Sequence, residues 1–438
     1  MNQTKSVSIK KEFMGYVSQN ILGMIGISIY VLADTFFISI AEGAGGITAL
    51  NLVLPLYSLI YGIGAMLGIG SAIRFNILRA RNEKSADDYF SGAIIYALLF
   101  GICFMILGAF FPDKIVELFG GDEKIIAIGT PYTRIFMLFA PFFMWNHICN
   151  AFVRNDGNPS LAMKATLISS LFNIVMDYIL MFPLGLGMAG AALATAISPI
   201  VGVLICCIHF FSTKSTVKFL WRKLSVKKLL DVCHLGVSAF IGEISTGVTT
   251  AIFNFLILGL AGNDGVAAFG VVANVSIMIT AIFNGVAQGA QPLFSRFYGK
   301  GEKQSIKKIL KLSMGTAMLL AICVLIITSI YTEPIVAIFN SEQNKMMALY
   351  AFTGVKIYFV GFLFAGCDIV GAGYLSATEK ASLSFGISMM RGVVAIIICA
   401  VVLAYFLGMT GVWLAFPVAE GLTFVLMWIA VGYEDKWH

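Results

Sequence analysis

Residues Ile27–Ile40 read ISIYVLADTFFISI, an apolar stretch with a single carboxylate, Asp34, in its middle. The run around it starts near Phe13 and is long enough to cross a bilayer. An aspartate inside such a span costs about 2.5–3.5 kcal/mol on insertion scales, so it marks either a functional ion or proton site or a hydrogen bond to a neighbouring helix. A second stretch of the same kind, Asn173–Asp177, favours the functional reading, and the rest of the chain falls into place around these two.

Of the 438 residues, 59% are hydrophobic and only 12% are charged. Mean hydropathy is +0.91. A soluble domain carries about 25% charged residues, so the composition is that of an integral membrane protein. Apolar runs fall near 13–40, 49–73, 88–111, 130–153, 161–182, 188–212, 231–260, 266–293, 306–331, 350–374, 383–407 and 411–432. Each is about 20 residues or longer, as a spanning helix requires. The fold class expected is therefore all-α, with about twelve transmembrane helices. The run after the basic N-terminal residues is too long for a signal-peptide core and has no clear cleavage site, so it reads as the first membrane helix. The net charge of +6 lies in short loops without aromatic interleaving, which gives no nucleic-acid signal. The eight cysteines sit in apolar runs with neither metal nor disulfide spacing and read as small apolar residues.

Lysine and arginine set the orientation. Lys5, Lys10 and Lys11 precede the first span. Arg74, Arg79, Arg81 and Lys84 follow the second, and Arg154 and Lys164 the fourth. Lys214, Lys218, Arg222, Lys223, Lys227 and Lys228 follow the sixth; Arg296, Lys300, Lys303, Lys307, Lys308 and Lys311 the eighth. With Lys380 and Lys436, 23 of the 29 basic residues fall on one side. Both termini are thus expected in the cytoplasm, with a basic cytoplasmic linker at 213–230 between an N-lobe (1–212) and a C-lobe (231–438).

The two lobes are copies. GMAGAALA at 187–194 recurs as GMTGVWLA at 408–415, Asn82-Glu83-Lys84 as Gly301-Glu302-Lys303, and IVELF at 115–119 as IVAIF at 335–339. The offset is about 220 residues throughout, the mark of a duplicated unit. Each half has an even number of spans, about six, so the copies share one orientation and leave a cleft between two parallel lobes.

No phosphate loop of the Gly-x-x-x-x-Gly-Lys-Ser/Thr type is present, which argues against ATP as the energy source. Gly185-Leu186-Gly187-Met188-Ala189-Gly190 matches a dinucleotide fingerprint but lacks a βαβ context, and it reads as a tight turn into a closely packed helix.

The polar groups of the first half converge instead. Tyr30 and Asp34 are four residues apart in the first span, and Asn173 and Asp177 four apart in the fifth, so each pair shares a helix face. Asp34, Asp177 and Thr195 each lie about seven residues, or roughly 10 Å, inside the outer boundary. Equal depth on three helices is what a single site requires. Its ligands are all oxygens, which suits Na+ or a proton rather than a soft metal. Two carboxylates about 4 Å apart repel by about 4 kcal/mol at an effective dielectric near 20, so a proton or cation between them is strongly favoured and the two should compete. In the second half these positions read Asn254, Ile398 and Phe416, with Glu243, Asp368 and Glu420 in or near other spans.

Two six-helix halves, the Asp34 and Asp177 stretches and the loop Arg154-Asn155-Asp156-Gly157-Asn158-Pro159 together resemble the MATE (multidrug and toxic compound extrusion) transporters, and most closely their MepA-like branch. The resemblance implies a V-shaped pair of bundles in a bacterial inner membrane, working as a monomer. It implies export of amphipathic, often cationic small molecules in exchange for Na+ or H+, with no other cofactor and no catalysis. It places the coupling site on Tyr30, Asp34, Asn173, Asp177 and Thr195, with Na+ held by Asp34, Asn173, Asp177 and Thr195. Glu243, Asn254 and Asp368 are then candidates for the substrate cleft. There are departures: Glu243 lies about one turn earlier than the glutamate of other branches, and the first span has no proline at which to bend. A lipid-linked-saccharide flippase on a related two-lobe plan is the alternative. It would carry several basic groups within its spans, for which only Arg134, Lys356 and Arg391 are available.

Overall fold

The computed structural model describes residues 8–221, 224–340 and 343–436; Lys5, Arg222 and Lys223 of the basic pattern lie outside them. In chain order the helices are α1 Ile9–Ala80, α2 Ala86–Phe110, α3 Pro112–Leu118, α4 Glu123–Leu138, α5 Ala140–Asn155, α6 Pro159–Met181, α7 Gly187–Phe210, α8 Val226–Gly299, α9 Lys303–Ile330, α10 Thr332–Phe339, α11 Lys345–Tyr358, α12 Phe362–Ala377, α13 Ala381–Met389 and α14 Ala395–Lys436. Among the described residues there is no β-strand. Nine stretches of these residues are long and apolar enough to cross a membrane, or ten when the bent pair α4–α5 counts as one span. The protein is therefore an all-α, multi-pass membrane protein.

The difference from twelve apolar runs has a local cause. Three long helices run on through a break at one glycine each: Gly43 in α1, Gly262 in α8 and Gly408 in α14. Each has φ near +60°, which costs a side-chain-bearing residue strain and glycine none. These breaks fall in or next to the Gly-rich connectors between runs. Run 130–153 is bent by 50° at Phe139, where Pro141 at the start of α5 cannot donate to the preceding turn.

The backbone carries the duplication as well. Gly43 and Gly262, Asn82 and Gly301, Gly157 and Glu379, Gly187 and Gly408 all have positive φ and pair at the offset of about 220. The short helices α3 and α10 hold the matching IVELF and IVAIF segments.

The chain packs as two compact units. Of the described residues, the first holds those within Ser18–Glu243 and Ser295–Glu302; the second holds 8–17, Ile244–Phe294 and those from Lys303 to Lys436. The first unit's core is aromatic, with Phe75, Phe136, Phe143 and Phe152 fully buried. Its helices start where side chains can cap them: Asp122 accepts from the Ile125 N–H, and Asn158 accepts from the Leu161 N–H just before Pro159.

Residues 215–220 of the linker are pinned to the rest of the first unit by side-chain acceptors. Asp156 accepts from the Thr216 N–H at 2.8 Å and from Ser215 Oγ and Thr216 Oγ1, and it also contacts His209 Nε2 at 2.8 Å. The Lys218 and Leu220 N–H groups donate to Asp87 and Ser91. Alternate amides thus find side-chain acceptors, as a strand's amides would find a partner strand.

Within this unit α1 and α8 meet backbone to backbone. A Cβ on Gly70 would stand 2.1 Å from the Val232 carbonyl oxygen, and one on Gly236 2.0 Å from that of Met66. Contact this close is how membrane helices associate without a hydrophobic driving force. Gly236→Ala and Gly70→Ala should each destabilise by about 1–3 kcal/mol through overpacking, measured as a lower Tm in detergent. Gly247→Ala, where nothing lies within 4 Å, should not.

Candidate coupling site

Three helices of the first unit, α1, α6 and α7, carry the predicted polar set. On α6, Asn173 and Asp177 are fully buried one turn apart, and Thr195 of α7 is buried beside them. With its amide turned so that both ends find partners, Asn173 Nδ2 donates to Asp177 Oδ2 at 3.2 Å and its oxygen accepts from the Thr195 N–H at 3.3 Å. The close packing of α6 on α7 makes this register possible: a Cβ on Gly190 would touch the Leu180 backbone at 2.9 Å.

Asp34 of α1 is 8% exposed and lies within electrostatic range of Asp177. One oxygen of each, Asp34 Oδ1 and Asp177 Oδ1, is buried with no hydrogen-bond partner among the described residues. Such orphaned acceptors carry a desolvation cost of about 1–3 kcal/mol or more, because the groups are charged. A proton or a hard cation removes that cost, and the donor set of carboxylates, amide and hydroxyl fits either. Ser28, one and a half turns before Asp34, bonds its own helix through the Met24 carbonyl and is not part of the set.

Tyr30 joins through aromatic neighbours. Its hydroxyl lies 3.3 Å from that of Tyr57, which stacks on Tyr61 at 4.1 Å and on Phe136 at 4.9 Å. Tyr30 is also within electrostatic range of both Asp34 and Asp177. Sequence reasoning missed Tyr132, which is 2% exposed on α4 and faces Asp34, Asp177 and Thr195. No spacing relates α4 to the other helices, so only the packed bundle reveals it.

The second-half candidates differ in burial. Glu243 and Asn254 on α8 are half-buried, whereas Asp368 on α12 is fully buried with neither oxygen hydrogen-bonded among the described residues. Asp368 interacts electrostatically with a neighbouring ion pair in which Arg391 Nε and a terminal nitrogen grip Glu420 at 3.1 and 2.9 Å. Arg391 sits in a π turn, Met390–Val394, joining α13 to α14.

The chain is similar to the multidrug export protein MepA of Staphylococcus aureus, at 27% identity over 94% of this chain and 91% of that protein. It is similar to MepA of Staphylococcus saprophyticus at 26% over the same shares. Among solved structures it superposes on an outward-facing multidrug resistance MATE family transporter of the MOP superfamily, with a TM-score of 0.91 at 20% identity and complete coverage of both chains. A MOP superfamily transporter from Pyrococcus furiosus gives a TM-score of 0.89 at 20% identity, covering 99% of each chain. The MatE family profile matches residues 20–179 and 239–401, well over half of the chain and containing Tyr30, Asp34, Asn173, Asp177, Glu243, Asn254 and Asp368, so the chain belongs to the MatE family.

Proposed function

We propose that this protein is a secondary active multidrug efflux antiporter, exporting amphipathic or cationic compounds in exchange for Na+ or H+. The observation that carries the reading is the buried all-oxygen set of Asp34, Asp177, Asn173 and Thr195, in which two carboxylates share a site too dry to hold both charges uncompensated. Such a group within a membrane span is a coupling site by physical default. Similarity to MepA, a multidrug export protein, supports drugs as the cargo.

On this reading the long helices divide at Gly43, Gly262 and Gly408, and the bent pair α4–α5 counts once, which makes twelve spans. An N-lobe (1–212), a linker (213–230) and a C-lobe (231–438) follow, with the V-shaped arrangement expected of the family. The basic bias puts both termini in the cytoplasm of a bacterial inner-membrane protein working as a monomer. Glu243, Asn254 and Asp368 remain candidates for contact with substrate.

The flippase reading loses support from the basic residues it needs. Arg391 is engaged by Glu420, Lys356 lies 4.1 Å from the centroid of the Phe352 ring, and Arg134 is exposed. Ethidium accumulation in cells expressing the protein tests the choice. Expression should lower accumulation, and dissipating both ion gradients should restore it; accumulation unchanged by expression counts against the export reading.

A further inference from the structure

The coupling site is one end of a longer feature. On α6 the residues Thr166, Ser169, Ser170, Asn173 and Asp177 are spaced by three or four, so they form a single polar stripe. It runs about eleven residues, roughly 16 Å, from Asp177 toward the loop that holds Asp156. All but Thr166 are buried. Neighbouring helices continue it. On α5, Thr166 Oγ1 donates to Asn150 Oδ1 at 3.3 Å, and Asn150 Nδ2 donates to Asn146 Oδ1 at 2.9 Å. On α7, Ser198 donates to the Thr195 carbonyl. One turn beyond Asn150, Arg154 donates to Asn20 Oδ1 of α1 at 3.0 Å.

Glycines let the neighbouring helices pack tightly on this stripe. Gly23 faces Thr166, a Cβ on Gly26 would lie 2.6 Å from Leu167 Cδ2 and 3.8 Å from Ser170 Oγ, and one on Gly202 would lie 2.5 Å from Asn146 Oδ1. On α1 the sequence Gly23, Gly26, Tyr30, Asp34 follows the same helical spacing, so that face of α1 opposes the stripe from end to end.

Polar atoms along this line lack partners. Asp34 Oδ1, Asp177 Oδ1, Ser170 Oγ, Asn20 Nδ2 and Arg154 Nε are buried without a hydrogen-bond partner among the described residues. Buried polar groups are normally satisfied by protein or by ordered water, so these orphans on one line are the places that bridging water would serve. Arg154 closes this file of polar groups. Its side chain is 6% exposed, and among the described residues it makes no ion pair, its one acceptor being the neutral Asn20. A buried guanidinium without a carboxylate is costly, and a positive charge across the file is a barrier to cations.

The duplicate half is an internal control. The stripe positions Thr166, Ser169, Ser170, Asn173 and Asp177 correspond to Ile387, Met390, Arg391, Val394 and Ile398, and Asn150 and Arg154 correspond to Ala372 and Ser376. In the duplicate half four of the five stripe positions are apolar; the fifth is Arg391, and Asn146 of the file corresponds to Asp368.

We propose that the cation or proton taken up at Asp34 and Asp177 leaves through this file inside the first unit, toward the loop bearing Asp156, and that Arg154 is the positioning charge that keeps the file from leaking. This rests on the antiport reading above.

Two measurements test it, and neither needs drug transport. In the first, Ser170→Cys is exposed to a small hydrophilic thiosulfonate in vesicles of either orientation, with labelling of the native cysteines subtracted. Ser170→Cys should label from the side bearing Asp156, and Leu171→Cys, 63% exposed but on the lipid face, should not. No labelling of Ser170→Cys, or labelling from the other side, overturns the file. In the second, Na+ and proton flux is followed in substrate-free proteoliposomes. Arg154→Gln should raise the leak by about tenfold, and Arg154→Lys, which keeps the charge, should not. A leak equal to wild type in Arg154→Gln overturns the gate; a leak in both variants reduces Arg154 to packing. If labelling and gating hold while Asp34→Asn still couples, it is the coupling assignment that fails and the file that stands.

Discussion

Asp34→Asn should abolish gradient-driven export while leaving the protein folded and inserted. The substitution removes one charge from a buried pair and nearly keeps the shape. Asp34 Oδ1 has no hydrogen-bond partner among the described residues whose loss would disturb the fold. An ion gradient can drive a conformational cycle only if the ion binds its states with different affinity. In the Asp34→Asn variant the site loses the repulsion between two carboxylates that makes a resident proton or cation so favourable. Dye efflux from vesicles under an imposed Na+ or proton gradient should fall at least about tenfold, toward the passive rate. Asp177→Asn should do the same and should also loosen the bond from Asn173. Asn254→Ala, at the duplicate position, should change efflux little. Wild-type rates under both gradients in Asp34→Asn vesicles, at matched expression, would remove these residues from the coupling step.

Much of this site can be read from spacing and depth alone. A helix fixes which residues share a face, so pairing Asn173 with Asp177 needs only the period. Counting rise from the loops puts Asp34, Asp177 and Thr195 at one level, and the bundle brings them together there. Tyr132 escapes because a lateral neighbour on another helix leaves no trace in local spacing. Thr166, Ser169 and Ser170 lie on the same face as Asp177, yet small hydroxyl residues are common in membrane helices. Their meaning emerges only with the glycines and asparagines packed against them. The connectors at Gly43 and Gly262 are legible as Gly-rich gaps, but not that each break is a single non-helical glycine at positive φ between two helices. Arg391 reads as a candidate phosphate ligand because sequence shows a buried charge without its partner, and Glu420 lies 29 residues away.

That pair carries the second large effect, on stability rather than transport. Arg391, Glu420 and Asp368 lie together in the second unit, with Asp368 and Glu420 buried. The extra residue of the π turn at Met390–Val394 rotates the helix locally and aims the guanidinium at Glu420, where it binds both oxygens. Removing one partner of such a group is worse than removing all, because the remaining charge stays buried. Arg391→Met leaves two carboxylates facing each other without a cation and should cost about 3–5 kcal/mol, a large share of the roughly 5–15 kcal/mol that typically holds a domain together. Glu420→Gln is milder, because Asp368, whose oxygens have no other hydrogen bond among the described residues, can take over the guanidinium. Replacing all three by Met or Leu should come close to wild type. The measurement is Tm in detergent together with the fraction eluting as a single species on size exclusion. The order expected is Arg391→Met lowest, then Glu420→Gln, then the triple variant near wild type. If Arg391→Met melts no lower than Glu420→Gln, Arg391 is not the charge that compensates both carboxylates, and Asp368 must draw its compensation from a proton of its own.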